Sequence, residues 1–392
     1  MKNRLKLLWL PGWFPSIQDP LAGDFVERHA KAVSEFADVT ILFVAKDISL
    51  AKGKHYINIE KNNGLHIYRA YYNNADGLGW LGRLQSGYLY YKLLFKIYRQ
   101  AKTENKFNLL HVHVAHRQAL LALWVKWKKG IPYLTTEHNS WFMPVGNQFY
   151  THSILLQQII KINFKQAAAV QVVSAGLGNA LKEKFSFIPS FTVIANVVDT
   201  EIFTLKSPSF NSTVLQFFTI TGDVYHKNTD GTIRAFAAFI KKGYTAILHI
   251  AGRDNKVLKT LVQQLDVNKQ VKFHGEISNS AVAAIMQETD AFIFFSRYET
   301  FGCAMTEALC CGTPVIASRL PVLEENLIEF TNALLVTTED EHELMEKLIY
   351  FSENKNTFNK ENIALNAIEK YNYQKAGHEF LTLYHSFLKL PG

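Results

Sequence analysis

Residues 291–317 read A-F-I-F-F-S-R-Y-E-T-F-G-C-A-M-T-E-A-L-C-C-G-T-P-V-I-A. Ala291 to Ser296 is a short, almost wholly apolar run, the pattern of a strand buried on both faces. Thr300 is placed to cap a helix over 302–311, which carries Glu307. Gly312 and Pro314 end that helix, and Val315 to Ala317 read as the next strand. Glu299 and Glu307, with seven residues between them, flank the helix N-terminus. A helix N-terminus at the C-terminal end of a parallel strand is where anionic ligands bind.

The same alternation extends on both sides. Strands are predicted at about 214–221, 246–251, 271–274 and 333–336, and helices at about 229–241, 255–265, 279–287 and 340–351. That is a doubly wound α/β pattern. Towards the N-terminus, Leu5 to Leu10 reads as a strand. A loop rich in proline and glycine follows, then a helix from Val26 to Phe36 and a strand from Val39 to Val44. Gly23 sits by that helix start, where lack of a side chain would let a ligand approach the backbone. Residues 55–72 predict one or two strands, and 109–114, 132–137 and 167–174 one each. Val193 to Asn196 closes this first series. Two domains are expected, 1–204 and 205–372, with Lys206 to Ser212 as the linker candidate. Tyr373 to Leu388 is helical, striped by Phe380, Leu383, Tyr384 and Phe387.

The 392 residues are nearly half hydrophobic, enough for full cores and against disorder. No apolar run is long enough to span a bilayer. The basic and apolar start is interrupted by Pro11-Gly12, so it reads as a first strand and not as a signal peptide. Cys303, Cys310 and Cys311 form neither a disulfide framework nor a metal pattern, which fits packing roles in a reducing compartment. The net charge is +8, unevenly placed: residues 1–200 hold 24 Lys+Arg and 12 Asp+Glu, the remainder 18 and 22. A basic half suits an anionic partner such as phosphate or a membrane surface, or simply solubility. No recognition motif supports nucleic acid.

In the helix expected at Trp80 to Lys102, Leu89, Leu93 and Ile97 share one face. Lys92, Lys96 and Arg99 share another, with tyrosines between them. Such a helix can lie on anionic lipid or be an ordinary surface helix with solvated lysines. H-V-H-V-A-H at 111–116 and T-T-E-H at 135–138 place histidines at strand ends that face the usual ligand crevice. No H-x-x-x-H or C-x-x-C pairing completes a metal site, so none is expected.

Taken together, S-R-Y-E-T-F-G-C-A-M-T-E-A-L-C-C-G-T-P-V-I-A at 296–317 resembles the E-x7-E signature of the retaining nucleotide-sugar glycosyltransferases of family 4, bacterial surface-glycan type. Further segments resemble the family in order along the chain: I-Q-D-P-L-A-G-D-F-V-E-R-H at 17–29, T-T-E-H at 135–138, N-V-V-D at 196–199 with Phe203, H-K-N at 226–228, Gly252, and F-H-G-E at 273–276. The resemblance implies a GT-B fold: two Rossmann-like doubly wound domains facing across a cleft, with the terminal helix 373–392 packed back on the first. It implies transfer of a sugar, with retention, from a nucleotide donor (a UDP-sugar expected) to a glycan or lipid-linked acceptor. The implied setting is cytoplasmic, with peripheral contact at the inner face of the membrane.

The residues divide by chemistry. A departing diphosphate needs positive charge and oriented N–H groups. With no D-x-D metal motif, Lys227 and the backbone at Phe301 and Gly302 would supply them, so no cofactor or metal is expected. Gly23 and Gly222 would leave room for the diphosphate. Glu307 would hold the ribose hydroxyls, since a carboxylate offers two acceptor oxygens. Glu299 would orient the transferred sugar. Gly275 and Glu276 would lie by the base. His138 would line the sugar pocket near the reacting carbon, or be a buried histidine bonded to backbone. His113, His116 and Arg28 are further acceptor-side candidates. The family often carries an arginine after the glycine at position 222, where this chain has Asp223 and Val224. That departure leaves Lys227 as the main cation and keeps open a weakly active donor-binding protein; a sugar-nucleotide epimerase is the other alternative.

Overall fold

The structure, a computed structural model, describes residues 4–62, 64–74, 79–145, 147–206, 214–222 and 224–388. Most of the linker candidate, Asp223 and the last four residues of the chain lie outside the described residues. The chain divides into two compact units, Met1–Phe142 with Asn147–Val197 and Tyr373–Gly392, and Met143–Gly146 with Val198–Asn372. The division therefore falls before the boundary placed at residue 204, and the terminal helix belongs to the first unit.

The first unit holds β1 (Lys6–Pro11), β2 (Asp38–Lys46), β3 (His55–Asn62), β4 (Leu65–Tyr72), β5 (Leu109–His113), β6 (Tyr133–Glu137), β7 (Val170–Val172) and β8 (Thr192–Val193). Their order is β3-β4-β2-β1-β5-β6-β7-β8. Only β3 and β4 pair antiparallel, so residues 55–72 are two strands, a hairpin at the sheet edge. The other neighbours are parallel, which is why β1, β5 and β6 are buried almost throughout. One face of this sheet packs against helices Gly79–Glu104 and Ala119–Lys129, with Leu8, Tyr68, Leu94, Ile97 and Leu121 at the centre. The other packs against helix Asp24–Ser34 and the terminal helix Tyr373–Phe387, through Trp9, Val26, Phe380 and Tyr384.

In helix Gly79–Glu104 the buried stripe is Tyr90, Leu93, Leu94, Ile97, Tyr98 and Ala101. Leu89 is only partly buried. The tyrosines therefore divide: Tyr90 and Tyr98 are core, while Tyr88 is 65% exposed. Helices Ala119–Lys129, Ile154–Gln166 and Lys360–Tyr371 were not anticipated in the sequence.

The second unit holds β9 (Leu215–Thr221), β10 (Ala246–Gly252), β11 (Val271–Gly275), β12 (Ala291–Phe294), β13 (Val315–Ser318) and β14 (Ala333–Val336). The order is β11-β10-β9-β12-β13-β14, parallel throughout. The order of the strands reverses between β1 and β5 in the first sheet and between β9 and β12 in the second. Such switch points open a crevice at the strands' carboxyl ends. β12 stops at Phe294, two residues before the expected end. The following helix is Cys303–Cys310, and its cap is Gly302 rather than Thr300. Gly302 has φ 92° and accepts the first turn through its carbonyl, without a side-chain cap. A Cβ there would lie 3.0 Å from Leu323 Cδ2 and 3.1 Å from Phe294 Cε1. Threonine could occupy neither that conformation nor that space.

Candidate active site

The switch point of the second unit is built by two loops, one after β9 and one after β12. The first turns through a short helix, Val224–Lys227, and Asn228 in the left-handed region at φ 48°. Thr229 donates to Thr221 at 3.0 Å and anchors that turn to the strand it leaves. The second runs from Phe295 to Gly302. Five contacts fasten the loops together. The Arg297 N–H donates to the His226 carbonyl at 2.9 Å, and the Arg297 guanidinium donates to the Tyr225 carbonyl at 2.6 Å. The His226 and Tyr298 rings stack at 4.2 Å. His226 Nε2 lies 2.7 Å from the Tyr298 carbonyl and 3.4 Å from Glu299 Oε1. Both of those oxygens are acceptors, so Nε2 carries the proton.

Lys227 and Glu299 meet inside this frame. Lys227 Nζ donates to Glu299 Oε1 at 2.7 Å and lies 4.8 Å from the centre of the Phe294 ring. Glu299 is 7% exposed. Burial pushes its carboxyl upward, but the Lys227 charge and the His226 bond outweigh that and bring it to about 2. It is therefore a carboxylate with a cation held against it. Glu307 is also buried, one turn into helix Cys303–Cys310. Phe301 is buried beside Gly302 and meets Tyr371 edge to face at 6.0 Å. Cys310 and Cys311 are buried with their thiols pushed up, Cys311 to about 12, so they are packing residues without reactivity.

The other expected donor-side residues are Gly222, Gly275 and Glu276. Gly222 follows β9, and a Cβ on it would meet nothing within 4 Å. Gly275 ends β11 with φ 70°, and Glu276 is exposed and paired with Arg253 at 3.1 Å.

In the first unit, the switch point gathers histidines. His111 and His113 come from β5, His138 follows β6, and His29 lies on helix Asp24–Ser34. His111, His113 and His29 are fully buried and His138 is 5% exposed. His113 Nδ1 faces His138 Nε2 at 3.4 Å, and those rings stack at 5.7 Å. His29 Nε2 donates to the Ala195 carbonyl at 3.0 Å. His111 is held by Tyr384 at 2.9 Å and Thr136 at 2.6 Å. Burial holds all four rings neutral: His29 falls to about 4, and His111, His113 and His138 lie well below the ordinary value. Beside them, Glu137 accepts from the N–H groups of Ala115, His138 and Asn139. Burial still lifts its carboxyl to about 7, because backbone donors offset desolvation less than a full cation does.

Gly23 caps helix Asp24–Ser34 at φ 72°, and a Cβ on it would lie 2.5 Å from the Trp13 carbonyl. The missing side chain makes room for the protein's own backbone at Trp13. Arg28 pairs with Asp24 on its own helix at 2.6 Å. His116 is partly buried and packs towards Trp141 at 5.9 Å, outside the histidine group. Sequence reading missed His29 and His111 as members of that group and gave no role to His226, Tyr298 or Arg297. His29 falls within the quoted segment 17–29, and only its distance along the chain from His113 and His138 hid the connection.

Comparison with known proteins bears on both units. Residues 203–372 match the model of the family "Glycosyl transferases group 1", and residues 64–202 match that of "Glycosyltransferase Family 4". An N-acetyl-alpha-D-glucosaminyl L-malate synthase of Bacillus anthracis is 25% identical over 243 residues, covering 59% of this chain and 62% of that one. An alpha-monoglucosyldiacylglycerol synthase of Streptococcus pneumoniae is 33% identical over 171 residues, 38% of each chain. The matches thus span less than two thirds of either relative. HepE from Anabaena, solved in complex with UDP and glucose, shares the fold over 98% of this chain and 100% of its own, with a TM-score of 0.71 and 17% identity. The two family models together take in most of the chain, and the chain belongs to family 4 of the glycosyltransferases, with the GT-B fold.

Proposed function

We propose that the protein is a glycosyltransferase that moves a sugar, with retention of configuration, from a nucleotide donor to a glycan or lipid-linked acceptor. The observation that carries this reading is the Lys227–Glu299 pair at the switch point of the second unit, next to the helix bearing Glu307. Glu299 holds the charge of Lys227. A donor diphosphate would take over Lys227, aided by N–H groups at Gly302 and the helix start. Glu299, released, would accept from hydroxyls of the transferred sugar, while Glu307 accepts from the ribose. Donor binding would thereby switch Glu299 from charge partner to sugar ligand. The leaving phosphate oxygen takes the acceptor proton on the same face, so the protein contributes position and electrostatics. His138 is a further candidate for contact with the sugar, and no metal is required at the diphosphate.

UDP as the donor nucleotide is supported by the UDP complex of HepE, and a lipid-linked acceptor by the diacylglycerol-named relative. No described helix is long and apolar enough to cross a membrane. Helix Gly79–Glu104 instead carries Trp80, Leu81, Leu84 and Tyr88 exposed, continuing into Lys92, Lys96 and Arg99 around a groove of about 680 Å³. Apolar and basic groups in that arrangement suit peripheral contact with anionic lipid at the cytoplasmic face. The test of the reading is nucleotide release and product formation with UDP-, GDP- and ADP-sugars and varied acceptors. Transfer from one donor is expected. Conversion of donor without acceptor would instead indicate an epimerase, and binding without turnover a donor-binding protein.

A further inference from the structure

The histidines of the first unit have a geometry that the transfer reaction does not call for. One ring nitrogen from each of His29, His113 and His138 lies within 4.8 Å of the other two. The His113 Nδ1 to His138 Nε2 separation is 3.4 Å. Two ligands of a tetrahedral zinc ion, each 2.0–2.1 Å from the metal, stand about 3.3 Å apart. The pair therefore already has ligand spacing, and the third ring must close by roughly an ångström or more to match it.

His29 is the informative member. Its Nε2 faces a carbonyl, which can only accept, so Nε2 carries the proton and Nδ1 the lone pair. That Nδ1 is buried without a hydrogen-bond partner. A ring whose far nitrogen donates to a backbone carbonyl while its near nitrogen holds a free lone pair is the usual state of a metal-bound histidine. A metal would take the place of the proton now held between His113 Nδ1 and His138 Nε2. An orphaned imidazole nitrogen is costly in a fully buried site, and the one on His29 needs a reason. The rings are neutral, the form that ligates. Three imidazoles with no thiolate suit Zn²⁺ or Co²⁺ and leave a fourth position open.

We propose that His29, His113 and His138 form a transition-metal site in the first unit, and that an ion bound there inhibits transfer. The second half rests on the transferase reading: a His138 that ligates a metal cannot also serve the sugar.

The test uses the full chain stripped with a chelator and titrated with Co²⁺, followed by visible absorption, with Zn²⁺ as competitor. One ion per chain with tetrahedral ligand-field bands is expected. His29→Ala should weaken binding more than about 100-fold, beyond the 10–100-fold loss typical of outer-shell partners. A His249→Ala/His274→Ala double variant should change nothing; it removes another close pair, 2.9 Å apart, in the second unit. Uptake that survives His29→Ala, or that is lost in the double variant, overturns the site. X-ray absorption at the zinc edge of the unaltered chain needs no variant: three imidazole scatterers support the site, and a shell without them overturns it. Zn²⁺ should suppress transfer and a chelator restore it. Bound zinc with undiminished transfer overturns the inhibitory half. A metal-free chain inactive across the donor panel counts against the transferase reading and leaves the metal site standing.

Discussion

The two switch points share a topology and differ in chemistry. Both lie where an α/β sheet reverses, at the carboxyl ends of parallel strands. In the second unit a buried carboxylate, Glu299, is held at about 2 by a lysine 2.7 Å away. In the first, an equally buried carboxylate, Glu137, is lifted to about 7 because only backbone N–H groups face it. One pole is charged and strapped, suited to exchanging anions. The other is neutral and rich in imidazole, suited to lone-pair chemistry. The fold provides the crevice in each case, and a few side chains decide what it can hold.

Removing the cation is the largest way to break this contrast. Lys227→Ala leaves Glu299 buried without a lysine beside it, as Glu137 is now, with the His226 contact remaining. Stability should fall by about 3–5 kcal/mol in denaturant titration, the usual cost of orphaning a buried charge. Lys227→Ala/Glu299→Gln should recover much of that, because no charge is left stranded. Equal losses in the single and double variants would show that the pair is not what holds the loops.

Acid probes the same pair. The folded value for Glu299 lies below the ordinary 4.5, so its contribution is complete above about pH 4.5 and lost as pH falls towards 2. Integrated over that window it is worth about 3 kcal/mol. Glu299→Gln should flatten the stability profile between those limits; a profile as steep as that of the unaltered protein would contradict the assignment. A smaller effect is expected at the helix start. Gly302→Ala forces a methyl group against Leu323 and Phe294 in a left-handed conformation, and should cost about 1–3 kcal/mol in a thermal melt. The surface of the first unit should respond least. Lys96→Gln should lower recovery on anionic vesicles about fivefold in flotation and leave neutral vesicles unchanged. Equal recovery on both lipids would refute the electrostatic form of the contact.

Most of the fold was legible because its signals are local. Apolar runs such as 291–294 and 333–336, punctuated by glycine and proline, mark buried parallel strands whatever surrounds them. Ends were less legible. Thr300 has the right side chain for a cap, but the helix starts at Gly302, whose left-handed φ and close neighbours Leu323 and Phe294 suit glycine. At the site, Glu299, Glu307 and Lys227 could be read from motif spacing. Their pairing could not, since Lys227 and Glu299 are joined only by the adjacency of β9 and β12. The histidines show the same limit more strongly. Spacing rules look for ligands a few residues apart, whereas His29, His113 and His138 come from one helix and two strand ends. At Gly23 the sequence showed a glycine near a helix start but not the backbone at Trp13, which lies where a Cβ would stand.

The most direct test of the account is calorimetric titration of UDP into the unaltered chain and into Lys227→Met, both in chelator. The account predicts metal-free binding to the unaltered chain, weakened on the order of 100-fold or more in Lys227→Met, as expected when one preorganised charge contact to a phosphate is lost. Equal affinity in the two proteins, or binding that appears only when a divalent ion is added, would contradict it.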